Sequence, residues 1–167
     1  MEPDFEGTIA AAGGTFRLRP ARESDMPAML ATAQDLWLGI PDPNAARRAE
    51  FVVREFARGW DGFFGLARVV VGEESDELVA QVCLIRRSPS RLEVTYGVAP
   101  EHRGRGIATA VLEFVTERAL GPITDRIEAI IDPRNQASVR VVTKAGYRYA
   151  GRNSDHGHSD LLYVREQ

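Results

Sequence analysis

Residues 103–108 read Arg103-Gly104-Arg105-Gly106-Ile107-Ala108, and they stand where one periodicity gives way to another. Before them, Arg91 to Val98 alternates with period two. After them, Ile107, Val111, Leu112, Val115 and Ala119 recur at helical spacing until Gly121-Pro122 ends the run. A strand thus passes into a helix, beginning near Gly104, through a glycine turn. Glycines let the backbone turn tightly with its N–H groups exposed, and these converge with the positive end of the helix on one point in space. Such a point binds phosphate. Arg103 and Arg105 would add charge at its rim, and the small Ala108 would let a diphosphate approach the first helical turn. An ordinary glycine-rich corner would read the same way from the hexapeptide alone. Two other phosphate motifs fail. A Walker loop needs Gly-Lys-Ser or Gly-Lys-Thr, and Lys144 is the chain's one lysine. A dinucleotide fingerprint needs a third glycine where Thr109 stands, after the first strand of an alternating parallel fold.

Working outward, Leu92, Val94, Tyr96 and Val98 share one face of the preceding strand and Glu93, Thr95 and Gly97 the other, so Glu93 should point away from the main packing layer. Upstream, Phe63 to Val71 and Leu78 to Ile85 are apolar runs joined by the acidic turn 72–77, hence an antiparallel pair. Thr15 to Arg19 alternates and stops at Pro20. Ser24 or Asp25 can cap a helix carrying Met26, Met29, Leu30, Ala33 and Trp37, and a second helix is expected from about Asn44 to Arg58. Downstream, Ile127 to Ile131 reads as a short buried strand and Asn135 to Ala145 as a helix closed by Gly146. Tyr147 to Arg152 with Asp160 to Val164 reads as a terminal hairpin. The expected architecture is α+β, a twisted mixed sheet, mostly antiparallel, with helices on both faces.

The bulk numbers bound the function. A chain of 167 residues predicts a single domain, here 15–167, preceded by a flexible arm, 1–14, with too little apolar bulk to pack. No apolar run approaches membrane-span length, and a net charge of −3 disfavours a protein that binds nucleic acid through its whole surface. Cys83 is alone, so no internal disulfide forms, and an N-terminus bearing Glu2, Asp4 and Glu6 lacks the positive start of a signal peptide; the expectation is cytoplasmic. Charge is uneven. Acids crowd 73–77, whereas 133–152 holds Arg134, Arg140, Lys144, Arg148 and Arg152 and no acid, so an anion is drawn to the second region or the arginines merely decorate solvated faces. Cys83, in an apolar strand, reads as core. His156-Gly157-His158 lacks a third ligand and reads as a turn, so no metal is expected.

The turn resembles the acetyl-coenzyme A signature of the GNAT N-acetyltransferases, R/Q-x-x-G-x-G/A, through Arg103, Gly106 and Ala108, preceded by Val98-Ala99-Pro100. Downstream, Asn135-Gln136-Ala137-Ser138-Val139-Arg140-Val141 followed by Lys144-Ala145-Gly146-Tyr147 is similar to that family's second motif, N-x-x-S-x-x-V then K-x-G-F. Each motif alone is weakly specific, whereas the two in order, with the element order from Thr15 to Val164, form a strong signal. Residues 35–41 and 92–98 look most like the branch that contains the ribosomal-protein N-terminal acetyltransferases.

The resemblance implies a GNAT-like fold and direct transfer of an acetyl group from acetyl-coenzyme A to a primary amine, a protein N-terminus or a small molecule, with no metal and with a homodimer as a possible assembly. It implies a slot between the strands ending near Val98 and beginning near Ile127, where the pantetheine arm pairs like an extra strand. The Val98 N–H would face the thioester oxygen, residues Arg103, Gly104, Arg105, Gly106, Ile107 and Ala108 would cradle the diphosphate, and Asn135 would anchor the pantetheine amides. The amine must lose a proton before it attacks, and Glu93 is the candidate base, directly or through water; a plain surface glutamate is the alternative. The family's proton donor to the thiolate is a tyrosine seven residues after the asparagine, and here that place holds Val142. The remaining donors are Ser138, which is preferred, Tyr96, or none, since a thiol of pKa about 8.5 can leave unassisted. Ser138 could instead only cap its helix. A non-catalytic acyl-coenzyme A sensor is the competing function, and a purely structural domain a third.

Overall fold

Period-two runs form strands here largely where the sequence places them, and the exceptions come from contacts between residues far apart in the chain. The computed structural model describes residues 4–36, 65–154 and 159–167, with positions 47, 51, 54, 55 and 58 between. Its elements are β1 (Gly7–Ala11), β2 (Gly14–Arg19), a 3-10 turn (Glu23–Asp25) leading into α1 (Met26–Leu36), β3 (Leu66–Gly72), β4 (Leu78–Ser88) and β5 (Arg91–Val98). There follow α2 (Ile107–Ala119), β6 (Arg126–Ile131), α3 (Gln136–Lys144), β7 (Arg148–Asn153) and β8 (Asp160–Glu166). The second helix expected over 44–58 falls mainly outside the described residues, as do Trp37 and the 156–158 turn.

One eight-stranded sheet runs in the order β1-β2-β3-β4-β5-β6-β8-β7. Every neighbouring pair is antiparallel except β5 and β6, whose parallel pairing needs the crossover through α2. Alternation sorts the side chains. Leu66, Val70, Val82, Leu84, Leu92, Val94 and Ile127 join Ile107, Val111, Leu112 and Val115 of α2 and Val142 of α3 in the main core. Val69 and Val71 turn the other way and pack with Met29 of α1. Cys83 is core as expected, and burial pushes its thiol up to about 12. Among the described residues no helix is long and apolar enough to cross a membrane.

The reading of residues 1–14 as a flexible arm is corrected over the described residues 4–14. Gly7–Ala11 is a strand paired to β2 through a tight turn at Ala12-Gly13, and Phe5 and Ile9 are buried in the main core. The boundary between 14 and 15 therefore cuts through a hairpin. The segment is too small-residued to pack by itself, but α2 supplies the surface it lacks: a Cβ on Gly7 would lie 2.8 Å from the Phe114 ring, which is how closely the strand meets the helix.

The acidic turn also has a different use from the one its charge suggests. Asp76 sits among Arg17, Arg19 and Arg22, and Arg19, which is almost fully buried, also donates to both carboxylate oxygens of Asp25 at 2.7 and 2.9 Å. The Arg19 hydrogen bonds hold the Asp25 carboxyl below its ordinary value of 3.8. A carboxylate with a lowered folded-state pKa contributes stability that is complete above the unfolded value and is lost as pH falls through the folded one. Unfolding free energy should therefore decline below about pH 4 from this pair. Asp25→Asn should cost about 2–3 kcal/mol in urea unfolding at pH 7, at or below the low end for a broken buried pair because Asp76 still faces Arg19.

Candidate active site

The register of β5 and β6 is short. Only Arg91↔Arg126, Leu92↔Ile127 and Glu93↔Glu128 pair, after which β6 continues along β8 and β5 continues along β4, leaving a wedge between residues 94–98 and 129–131. The direction of the backbone groups on β5 follows from its other neighbour. The Ala99 N–H reaches the Val79 carbonyl at 2.8 Å, so by antiparallel alternation Val94, Tyr96 and Val98 turn their own N–H and C=O groups away from β4 and into the wedge. The Val98 carbonyl accepts from Arg103 Nε at 3.0 Å, so of the two Val98 backbone groups the N–H is the one left to serve a ligand in the wedge.

The chain leaves the wedge through a 3-10 turn, Pro100–His102, and enters α2 by way of Gly104 (φ +74°) and Gly106 (φ +77°), a left-handed conformation that favours glycine. No side chain caps α2, so its first-turn N–H groups point outward with the positive end of the helix dipole. A Cβ at either glycine would meet nothing within 4 Å. Arg103 and Arg105 are exposed at the rim, whereas Ala108 is half-buried. The Ile107 side chain is fully buried and pins the helix start to the core, so what this residue can offer an anion is its N–H. This turn suits a diphosphate, and the wedge beside it suits an extended arm with amides.

Across the wedge, Asn135 caps α3 by accepting the Ser138 N–H on Oδ1 at 3.1 Å, leaving Nδ2 as its donor. Ser138 is half-buried, and its carbonyl accepts from the Tyr96 hydroxyl at 3.4 Å. That contact draws β5 and α3 together on one side of the opening. Burial pushes the Tyr96 phenol up to about 12, so it stays protonated at neutral pH. Val142 is fully buried in the main core and can present no proton donor.

Glu93 lies at the apex of the wedge on the opposite sheet face from Leu92 and Val94, as the alternation requires, but it is buried and not a surface residue. Arg87 Nε donates to its Oε2 at 2.7 Å. Sequence reasoning missed its neighbour Glu128, equally buried and bonded by Arg126 at 2.8 Å. A charged residue inside the apolar run 127–131 was the available signal. The basic set of 133–152 does not act as one patch, since Arg134 is bound to Asp132 and Arg148 approaches Glu166.

A model of the acetyltransferase (GNAT) domain family matches residues 15–148. Over 80 residues the chain is 35% identical to a probable N-acetyltransferase, YjcK, of Bacillus subtilis; the aligned stretch is 46% of this chain and 44% of that one, so the chain spans less than half of that relative's length. In structure it is similar to Mycobacterium smegmatis RimJ in complex with CoA-disulfide, with a TM-score of 0.78 at 24% identity, covering 99% of this chain and 90% of the other. It is also similar to RimL, a ribosomal L7/L12 alpha-N-protein acetyltransferase in complex with coenzyme A, with a TM-score of 0.74 at 19% identity, covering 96% and 98%. The family match takes in most of the chain, and the eight-stranded sheet, the parted strands and the uncapped glycine turn all agree with it: the chain belongs to the GNAT acetyltransferase family, a family of acyltransferases.

Proposed function

We propose that this protein moves an acetyl group from acetyl-coenzyme A to a primary amine by direct attack, the amine belonging to a protein N-terminus or a small molecule. One observation carries the reading: the β5–β6 wedge opens beside the uncapped, glycine-shaped start of α2, so a single extended ligand bearing a diphosphate and an amide arm fits both. Acetyl-coenzyme A supplies the acyl group as a thioester when bound. Backbone N–H groups of residues 104–108, with Arg103 and Arg105 at the rim, hold the diphosphate, and Asn135 Nδ2 holds an amide of the arm. The Val98 N–H faces the carbonyl oxygen as it gains charge. Glu93 takes a proton from the incoming ammonium, directly or through water, and Ser138 returns one to the sulfur, with the Tyr96 hydroxyl beside it as the second donor.

The test is turnover. Incubation with acetyl-coenzyme A and panels of N-terminal peptides, polyamines and aminoglycosides should release free thiol with at least one acceptor. The second reading, a non-catalytic acyl-coenzyme A sensor, draws on Val142, a buried valine where the family resemblance implies a tyrosine. Tight coenzyme A binding with no thiol release from any acceptor, unaltered by Glu93→Ala, would establish it instead.

A further inference from the structure

The N-terminal hairpin touches the proposed diphosphate turn directly. At its tip, the Ala12 N–H donates to the Arg105 carbonyl at 3.0 Å. The same tip meets the Arg105 side chain, since a Cβ on Gly13 would lie 3.5 Å from both Cδ and a guanidinium nitrogen. The peptide joining Arg105 to Gly106 is trans and planar, so its C=O and N–H point in opposite directions. A carbonyl held toward the hairpin therefore sends the Gly106 N–H to the side of the turn that the hairpin leaves open. Glycine at 106 has no side chain to enforce that orientation, and its left-handed φ of +77° is one of many it could adopt.

The other end of the hairpin is anchored along the same helix. Gly7 packs against the Phe114 ring, which the Arg118 guanidinium covers at 3.5 Å, and Phe5 and Ile9 are buried in the core with α2. The five steps from Gly7 to Ala12 rise about 17 Å, and the seven helical steps from Phe114 back to Ile107 about 10 Å, with the turn residues Gly106 and Arg105 beyond them, so the strand lies antiparallel along α2 and brings Ala12 to the turn. Its base is fixed by packing and its tip by one hydrogen bond.

We propose that the β1–β2 hairpin is a positioning element for donor binding, with the Ala12 N–H setting the direction of the Gly106 N–H through the Arg105 peptide. The proposal rests on the reading of this turn as the diphosphate cradle. Ala12 touches no reacting atom, so its loss should act on affinity and leave the chemical step alone.

Ala12→Pro removes the donor, whereas Ala12→Gly keeps it. Coenzyme A titrated calorimetrically into the full chain should bind Ala12→Pro about tenfold more weakly than wild type, and Ala12→Gly within twofold of it. The KM for acetyl-coenzyme A should rise to match, while kcat and the KM for the amine stay unchanged. A role in stability alone would lower the melting temperature and leave that split absent. Should Ala12→Pro fail to fold, hydrogen exchange of the Ala12 amide in the wild-type chain decides: protection should rise on saturation with coenzyme A, and unchanged protection overturns the proposal. Wild-type binding with an equally tight, folded Ala12→Pro variant also overturns it while leaving the cradle intact. A wild-type chain that does not bind coenzyme A removes the cradle reading, and this one with it.

Discussion

A Gly106→Val variant is expected to lose at least a hundredfold in affinity for coenzyme A while keeping its fold. Gly106 caps α2 at φ +77°, where a β-branched side chain is strained, and the turn must shift or carry about 1–3 kcal/mol of that strain. Among the described residues no atom stands in the way, since a Cβ at 106 meets nothing within 4 Å. That same open space is what the diphosphate would occupy, so the isopropyl group both fills it and turns the first N–H groups of the helix off their target. Calorimetric titration alongside a thermal melt separates the effects. A variant that melts lower and binds coenzyme A as tightly as wild type would mean the turn is only a corner.

Glu93→Gln should lower kcat by about a thousandfold, inside the range that removal of a positioned base produces, with the coenzyme A dissociation constant unchanged. The amide keeps the size of the side chain and an oxygen that can still accept from Arg87, and Arg87, relieved of its ion pair, is exposed enough to be solvated, so the fold tolerates the exchange. Steady-state kinetics with the best acceptor provides the measurement. A kcat within threefold of wild type would place the proton acceptor elsewhere, and Glu128, in register across the strand pair, would be the next substitution to make.

Much of this site was legible from local pattern. Arg91–Val98 is a strand with the expected ends, Glu93 faces away from Leu92 and Val94, Asn135 begins a helix, and the glycine turn lies between strand and helix. Each of these is a statement about neighbours within four residues. The hairpin at 7–19 was not legible, because Thr8, Ala10 and Ala11 give weak alternation and the burial of Phe5 and Ile9 depends on helix α2, about a hundred residues away in sequence. Glu128 escaped notice for a related reason: a carboxylate in a strand tells nothing of its surroundings until Arg126 and the paired strand are in place.

The sequence by itself determined the order of the elements from β3 onward, the position of the glycine turn and, through the motifs at 103–108 and 135–147, the family, since periodicity, capping residues and φ preferences act over a few residues at a time. Tertiary structure decided where β5 and β6 part, that Glu93 is buried at the apex and bonded by Arg87, that Tyr96 reaches Ser138, and that Ala12 holds Arg105. Those facts depend on sheet register and on packing between distant segments, which no local pattern encodes.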